Sequence, residues 1–98
     1  MYTIDCGMEF DWDAANARHI AFHKVSMAEA EQALRNDPIT VHYRDHDGEE
    51  RALVLGPTSA GRLLAVVYTE RRKKVRVVTA YPMNKRLEAI YFRERSSR

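Results

Sequence analysis

The apolar positions keep two different rhythms along the chain. "MEFDW", residues 8–12, alternates and reads as a short first strand. Asp13 then offers a carboxylate as N-cap for a helix over about 14–24. "SMAE", 26–29, is a capping box, with Ser26 as the cap and Glu29 reaching back. The helix it opens carries Met27, Ala30, Ala33 and Leu34 on one face. "NDP", 36–38, ends it, because Pro38 cannot continue a helix and biases Asp37 away from helical geometry.

From there the period changes to two. In "ITVHY", 39–43, Ile39, Val41 and Tyr43 alternate with Thr40 and His42. "DHDG", 45–48, holds an Asp-Gly turn, and "RALVLG", 51–56, is the next strand. "RLLAVVYTE", 62–70, is apolar on both faces and so expected to be central. "RRKK" turns the chain into "VRVVTAY", 75–81, a buried strand expected to sit centrally and to hold its hydroxyls rigidly. Asn84 caps a closing helix, 85–95, with Leu87, Ile90 and Tyr91 at helical spacing. Strands joined by short turns run antiparallel. The expected fold is α+β: an antiparallel sheet of four to five strands, two N-terminal helices and one C-terminal helix. The helices are expected on one face, with the other face free to work.

A chain of 98 residues makes one domain, 1–98, with a single core. One cysteine, Cys6, rules out an internal disulfide and anchors no zinc pattern. The acidic opening lacks the apolar core of a signal peptide, and no apolar run is long enough to span a membrane, so a reducing cytoplasm is the expected location.

Charge changes this picture more than composition does. Residues 1–50 carry four Lys/Arg against eleven Asp/Glu, and residues 51–98 carry twelve against three. The net charge of +2 hides that division, which points to a basic surface for a polyanion built by the second half. The cations crowd the last strand: Arg71, Arg72, Lys73, Lys74 and Arg76 before or within it, Lys85 and Arg86 after it. The cluster reads either as a solubilising turn or as a phosphate-backbone grip, and strand geometry favours the grip, since arginine forks hold phosphate oxygens in pairs.

Strict alternation puts Val75, Val77, Thr79 and Tyr81 on one face of that strand. Two hydroxyls, Thr79 and Tyr81, then lie near the final helix, and Arg51 can reach across the sheet. Such a set can cut RNA without a metal, by attack of the ribose 2′-hydroxyl on its own phosphate. No cofactor is called for. His19 and His23 have a spacing that can hold a metal, but no Cys or third His sits at a suggestive distance, and packing is the simpler reading.

Three stretches carry a family resemblance: "EFDWDAANARHIAFHKVSMAEAEQAL", "DGEERALVLGPTSAGRLLAVVYTER" and "VRVVTAYPMNKRLEAIYF". Together they resemble the BrnT toxins of type II toxin–antitoxin modules, from about Glu9 to Tyr91. The resemblance implies a RelE-like fold and a metal-independent endoribonuclease that halts translation by cutting mRNA, free or ribosome-bound. It also implies a cognate antitoxin, typically with a ribbon-helix-helix DNA-binding domain, in a hetero-oligomer with the toxin. By position it points to His23, Glu50, Arg51, Arg71, Thr79 and, beside them, Tyr81 as the catalytic set, with Glu70, Glu88 and Tyr91 at further family positions. The cations expected along the RNA are Lys24, Arg72, Lys73, Lys74, Arg76, Lys85 and Arg86. The family's "N-x-x-K-H-G" run is His19, Phe22, His23, Lys24 here, so Phe22 stands at the lysine. Tyr81 stands at a family arginine, a role that this chain has either lost or given to Tyr81 or Lys85. A non-catalytic nucleic-acid-binding or protein-interaction module on the same fold is the alternative.

Overall fold

A computed structural model describes residues 8–97, without the side chains of Tyr43, Asp45 and His46. Cys6 therefore lies outside the described residues, as does the Tyr43 side chain. Two helices, α1 (Ala14–Phe22) and α2 (Met27–Arg35), precede four strands. The strands are β1 (Ile39–His46), β2 (Glu49–Pro57), β3 (Leu63–Arg71) and β4 (Lys74–Pro82), and α3 (Lys85–Ser96) closes the chain. The sheet is an antiparallel meander in the order β1-β2-β3-β4.

The helix starts follow from their caps. Asp13 accepts from the amides of Ala15 and Asn16, and the Asn16 side chain returns a bond to the Asp13 amide. Ser26 and Glu29 close the capping box reciprocally, and Asn84 caps α3 through the Leu87 amide. The α1 end is a Schellman turn: Val25 N–H reaches Ile20 C=O and Lys24 N–H reaches Ala21 C=O. Lys24 takes the left-handed conformation there, φ 62°, at the position where the family run has glycine.

The opening strand is reduced to one parallel bridge, Phe10 with Val75. It covers part of the outer edge of β4, which is an edge strand rather than a central one. β4 is nonetheless buried at Val75, Val77 and Ala80, because α1 packs along it.

The helices also divide between the two faces. Ile20, Val25, Ala30, Ala33 and Leu34 of the α1–α2 region pack on Ala52, Val54, Leu64 and Val66. Tyr91, Leu87 and Ile90 of α3 pack on Leu55, Ala65, Leu53 and Leu63, which alternate with the first set and so face the other way. α3 covers only part of that face, near β1 and β2. The expectation of one wholly free face is corrected: the working surface is what α3 leaves open.

Two bulges decide what reaches that surface. Ile39 and Thr40 pair with Leu55 and Val54, but His42 already pairs with Leu53, so Val41 is an extra residue. Thr79 pairs with Val67 and Val77 with Tyr68, so Val78 is another. Each inserted residue reverses the alternation beyond it. Val75 and Val77 therefore join the α1–α2 core with Ala80, while Tyr81 turns to the α3 side. The strict alternation expected for both strands fails at these points.

Candidate active site

The α3-side face holds a groove of about 290 Å³ lined by His42, Arg44, Arg51, Ala52, Leu53, Val67 and Tyr81. A second hollow of about 340 Å³ adjoins it, sharing His42, Leu53 and Tyr81 and adding Asn84, Arg86 and Leu87 from the start of α3. Arg44 and Arg51 are register partners on neighbouring strands. Like charges placed directly opposite each other destabilise a sheet. Glu49 relieves the pair on one side, at 2.6 Å from Arg51 Nε. That contact uses one donor of the Arg51 fork, and Arg51 still lines the groove. Arg44 has no ion pair among the described residues. Two arginines converging over a hollow are suited to one anion between them.

The rim of the groove is aromatic. His23, the C-cap of α1, meets Tyr81 edge-on with ring centroids 6.3 Å apart. His19 stands 5.4 Å from His23 and places Nε2 3.1 Å from the Thr79 hydroxyl. No three His, Cys, Asp or Glu side chains gather into a metal-holding group among the described residues.

Of the residues expected to form the site, His23, Thr79 and Tyr81 are thus neighbours, and Arg51 lies across the groove from Tyr81. Glu50 opens into a different hollow, with Gly48, Glu49, Thr69 and Glu70, and its carbonyl accepts from the Thr69 hydroxyl. Arg71 lies at the hairpin end of β3, 4.0 Å from Asp11. Glu88 is half-buried, and Tyr91 is a core residue whose hydroxyl donates to the Asp37 carbonyl. His42 and Arg44 line the groove although sequence reasoning does not single them out for it. Counting back from the Asp47–Gly48 turn pairs Arg44 with Arg51, and that is the signal that finds it.

The cations of the β3–β4 hairpin have divided roles. Arg76 is mostly buried and pairs with Asp13 at 3.1 Å and Asp11 at 3.7 Å. Lys74 reaches Glu9 at 3.9 Å. The acidic opening thus meets the basic hairpin and ties α1 to β4. The cap bond from the Asn16 amide, helped by Arg76, holds the Asp13 carboxyl below its ordinary pKa. Arg72, Lys73, Lys85 and Arg86 are exposed and make no ion pair among the described residues; so is Lys24. Arg72 and Lys73 form the two-residue turn, both left-handed at φ 54° and 63°.

The family model described as "Ribonuclease toxin, BrnT, of type II toxin-antitoxin system" matches residues 12–86. The chain belongs to the BrnT family. It is therefore a ribonuclease toxin by membership, with RNA as substrate class and an antitoxin as partner. No curated protein matches the chain. The matched segment runs from just before α1 into α3 and contains every residue lining the first groove, while Leu87 of the adjoining hollow follows its last residue.

Two of the BrnT-like motif pieces act as scaffold. In "FDWD", Phe10 lies under the Arg35 guanidinium at 4.9 Å and Trp12 donates to Glu31 at 2.7 Å. Arg62 of the "G-R-L-L" piece donates to both Glu29 oxygens, each at 3.1 Å, and to the Lys24 carbonyl at 2.7 Å. The Ser26 amide, with Arg62, lowers the Glu29 pKa. These contacts hold the α1–α2 junction, and with it His23, against the sheet.

Proposed function

We propose that the groove cuts RNA by intramolecular attack, without a metal. His23 takes the proton of a ribose 2′-hydroxyl. That oxygen attacks the adjacent phosphorus, and the bond to the 5′-oxygen breaks. The leaving oxygen takes the phenolic proton of Tyr81. The products are a 2′,3′-cyclic phosphate and a 5′-hydroxyl. Arg51 and Arg44 neutralise the charge gathering on the phosphate, the larger electrostatic contribution. His19 and Thr79 hold the His23 side of the rim. Arg86, Lys85 and Lys24 follow the RNA backbone around the groove, and Arg72 and Lys73 meet it at the hairpin tip.

The observation that carries this reading is the pair of bulges, which turns Tyr81, His42 and Arg44 onto the same face as Arg51. In the cell the activity is that of a cytoplasmic toxin that stops translation by cutting mRNA, free or on the ribosome. A cognate antitoxin with a ribbon-helix-helix domain covers it in a hetero-oligomer. The test is incubation with a structured, end-labelled RNA in EDTA, followed by analysis of the ends. Fragments ending in 2′,3′-cyclic phosphate support the reading. RNA left intact in buffer and in a translating extract contradicts it. Tyr81 in place of a family arginine favours a second reading, a module that binds RNA without cutting it, and retained binding with intact RNA would select that one.

A further inference from the structure

Phe22 ends α1 87% exposed, the most exposed of the large hydrophobic residues among the described residues. It stands at the lysine position of the "N-x-x-K-H-G" run. Its ring meets His23 edge-on, centroids 6.4 Å apart and planes at 77°. His23 in turn meets Tyr81 edge-on. Phe22, His23 and Tyr81 therefore form a row of rings leading from open solvent to the groove. The surroundings are cationic rather than apolar. Arg18, one helical turn before Phe22 on the same helix face, is exposed and makes no ion pair among the described residues. Lys24, two residues on, is exposed as well.

A protein-docking face concentrates apolar area at its centre and excludes charge there. One phenyl ring between Arg18, His19 and Lys24 does not fit that description. An aromatic face flanked by cations fits single-stranded nucleic acid, where each base stacks and the neighbouring phosphates are neutralised. We infer that Phe22 is a stacking platform for an RNA base next to the scissile phosphate, with Arg18 and Lys24 on the backbone beside it. The inference rests on the RNA-cutting reading of the groove and adds a subsite to it. The lysine of the run would supply only charge there. The exchange to Phe22 replaces a charge contact by stacking, which tolerates any base.

The test uses a short single-stranded 2′-O-methyl RNA, which cannot be cut, so binding is read independently of cleavage. Phe22→Trp should retain affinity, and its emission, measured against the Trp12 background of the unaltered protein, should change when the oligonucleotide is added. Phe22→Leu keeps an apolar side chain but no ring, and should bind roughly tenfold more weakly. Its salt dependence should be unchanged, because no phosphate contact is lost. Arg18→Ala should instead flatten the salt dependence. Binding by Phe22→Leu equal to that of the unaltered protein overturns the inference. Emission from the introduced tryptophan that ignores bound oligonucleotide overturns it too. So does a Phe22→Leu protein that loses affinity only for the cognate antitoxin. A protein that binds the oligonucleotide through Phe22 yet cuts no RNA would sink the catalytic reading and leave the platform standing.

Discussion

The β3–β4 turn sets stability against binding in a way that can be measured. Its two residues, Arg72 and Lys73, are both left-handed, at φ 54° and 63°. A two-residue hairpin of this kind matches the strand twist and favours Asn-Gly. The sister turn between β1 and β2 takes the same conformation with Asp47 and Gly48, φ 51° and 80°. Holding a side-chain-bearing residue left-handed costs about 1–2 kcal/mol. Replacing Arg72 by Asn and Lys73 by Gly removes much of that at both positions. The extra freedom of glycine in the unfolded chain returns roughly 0.5–1 kcal/mol. The net expected gain is about 1–2 kcal/mol, which in a domain of this size raises Tm by roughly 5–10 °C. Urea unfolding should show a higher midpoint at unchanged slope. RNA binding should move the other way. Two phosphate contacts to single-stranded RNA contribute about 1.4 to the slope of log affinity against log salt, and the double variant should lose that much. A variant no more stable than the parent would refute the strain argument. A gain in stability with an unchanged salt slope would refute the placing of these two cations on the RNA.

Arg76 should behave as a structural residue: Arg76→Ala leaves Asp11 and Asp13 without their shared partner and should cost about 1–3 kcal/mol in urea unfolding. Gly56 is a close contact between sheet and helix, since a Cβ there would overlap the Ala33 carbonyl. Gly56→Ala should therefore force α2 off the sheet and cost about 1–3 kcal/mol or more, read from thermal unfolding. Acid should also weaken the fold. The Asp13 and Glu29 pKa values are lowered from 3.8 and 4.5. Their stabilisation is present above those ordinary values and is lost as pH falls through the lower, folded ones. Asp13→Asn with Glu29→Gln, both able to keep a cap, should flatten Tm against pH in that acidic range, and an unchanged slope would assign the acid sensitivity elsewhere.

The helices and turns are legible in the sequence because their signals are local. Asp13, Ser26 with Glu29, and Asn84 cap where their side chains predict, and the Asp-Gly turn sits where its residue types require it. What escapes depends on partners distant in the chain. Nothing within "ITVHY" or "VRVVTAY" says that Val41 or Val78 will be skipped by the neighbouring strand, yet each skip exchanges the two faces beyond it. Strict alternation groups Tyr81 with Val75 and Val77, and it lies on the opposite side. The amphipathic α3 announces an apolar stripe but not which sheet face receives it. The hairpin cations read as one basic patch, because the carboxylates that pair with Arg76, Arg71 and Lys74 come from the far end of the chain. His23, Thr79 and Tyr81 do lie together, while Glu50 and Arg71, expected beside them, lie elsewhere.

The most direct test of the account compares two arginines under single-turnover conditions, with excess protein, EDTA and an unstructured RNA. Arg51 faces the groove and Arg76 faces carboxylates. The account predicts that Arg51→Ala slows cleavage by about 10²–10³ with the urea midpoint nearly unchanged, as for loss of one charge-stabilising donor. It predicts that Arg76→Ala lowers the midpoint and, at a temperature where the variant is folded, leaves the rate close to that of the unaltered protein. Cleavage by Arg51→Ala at the unaltered rate, or a rate lost through Arg76 instead, would place the chemistry outside this groove.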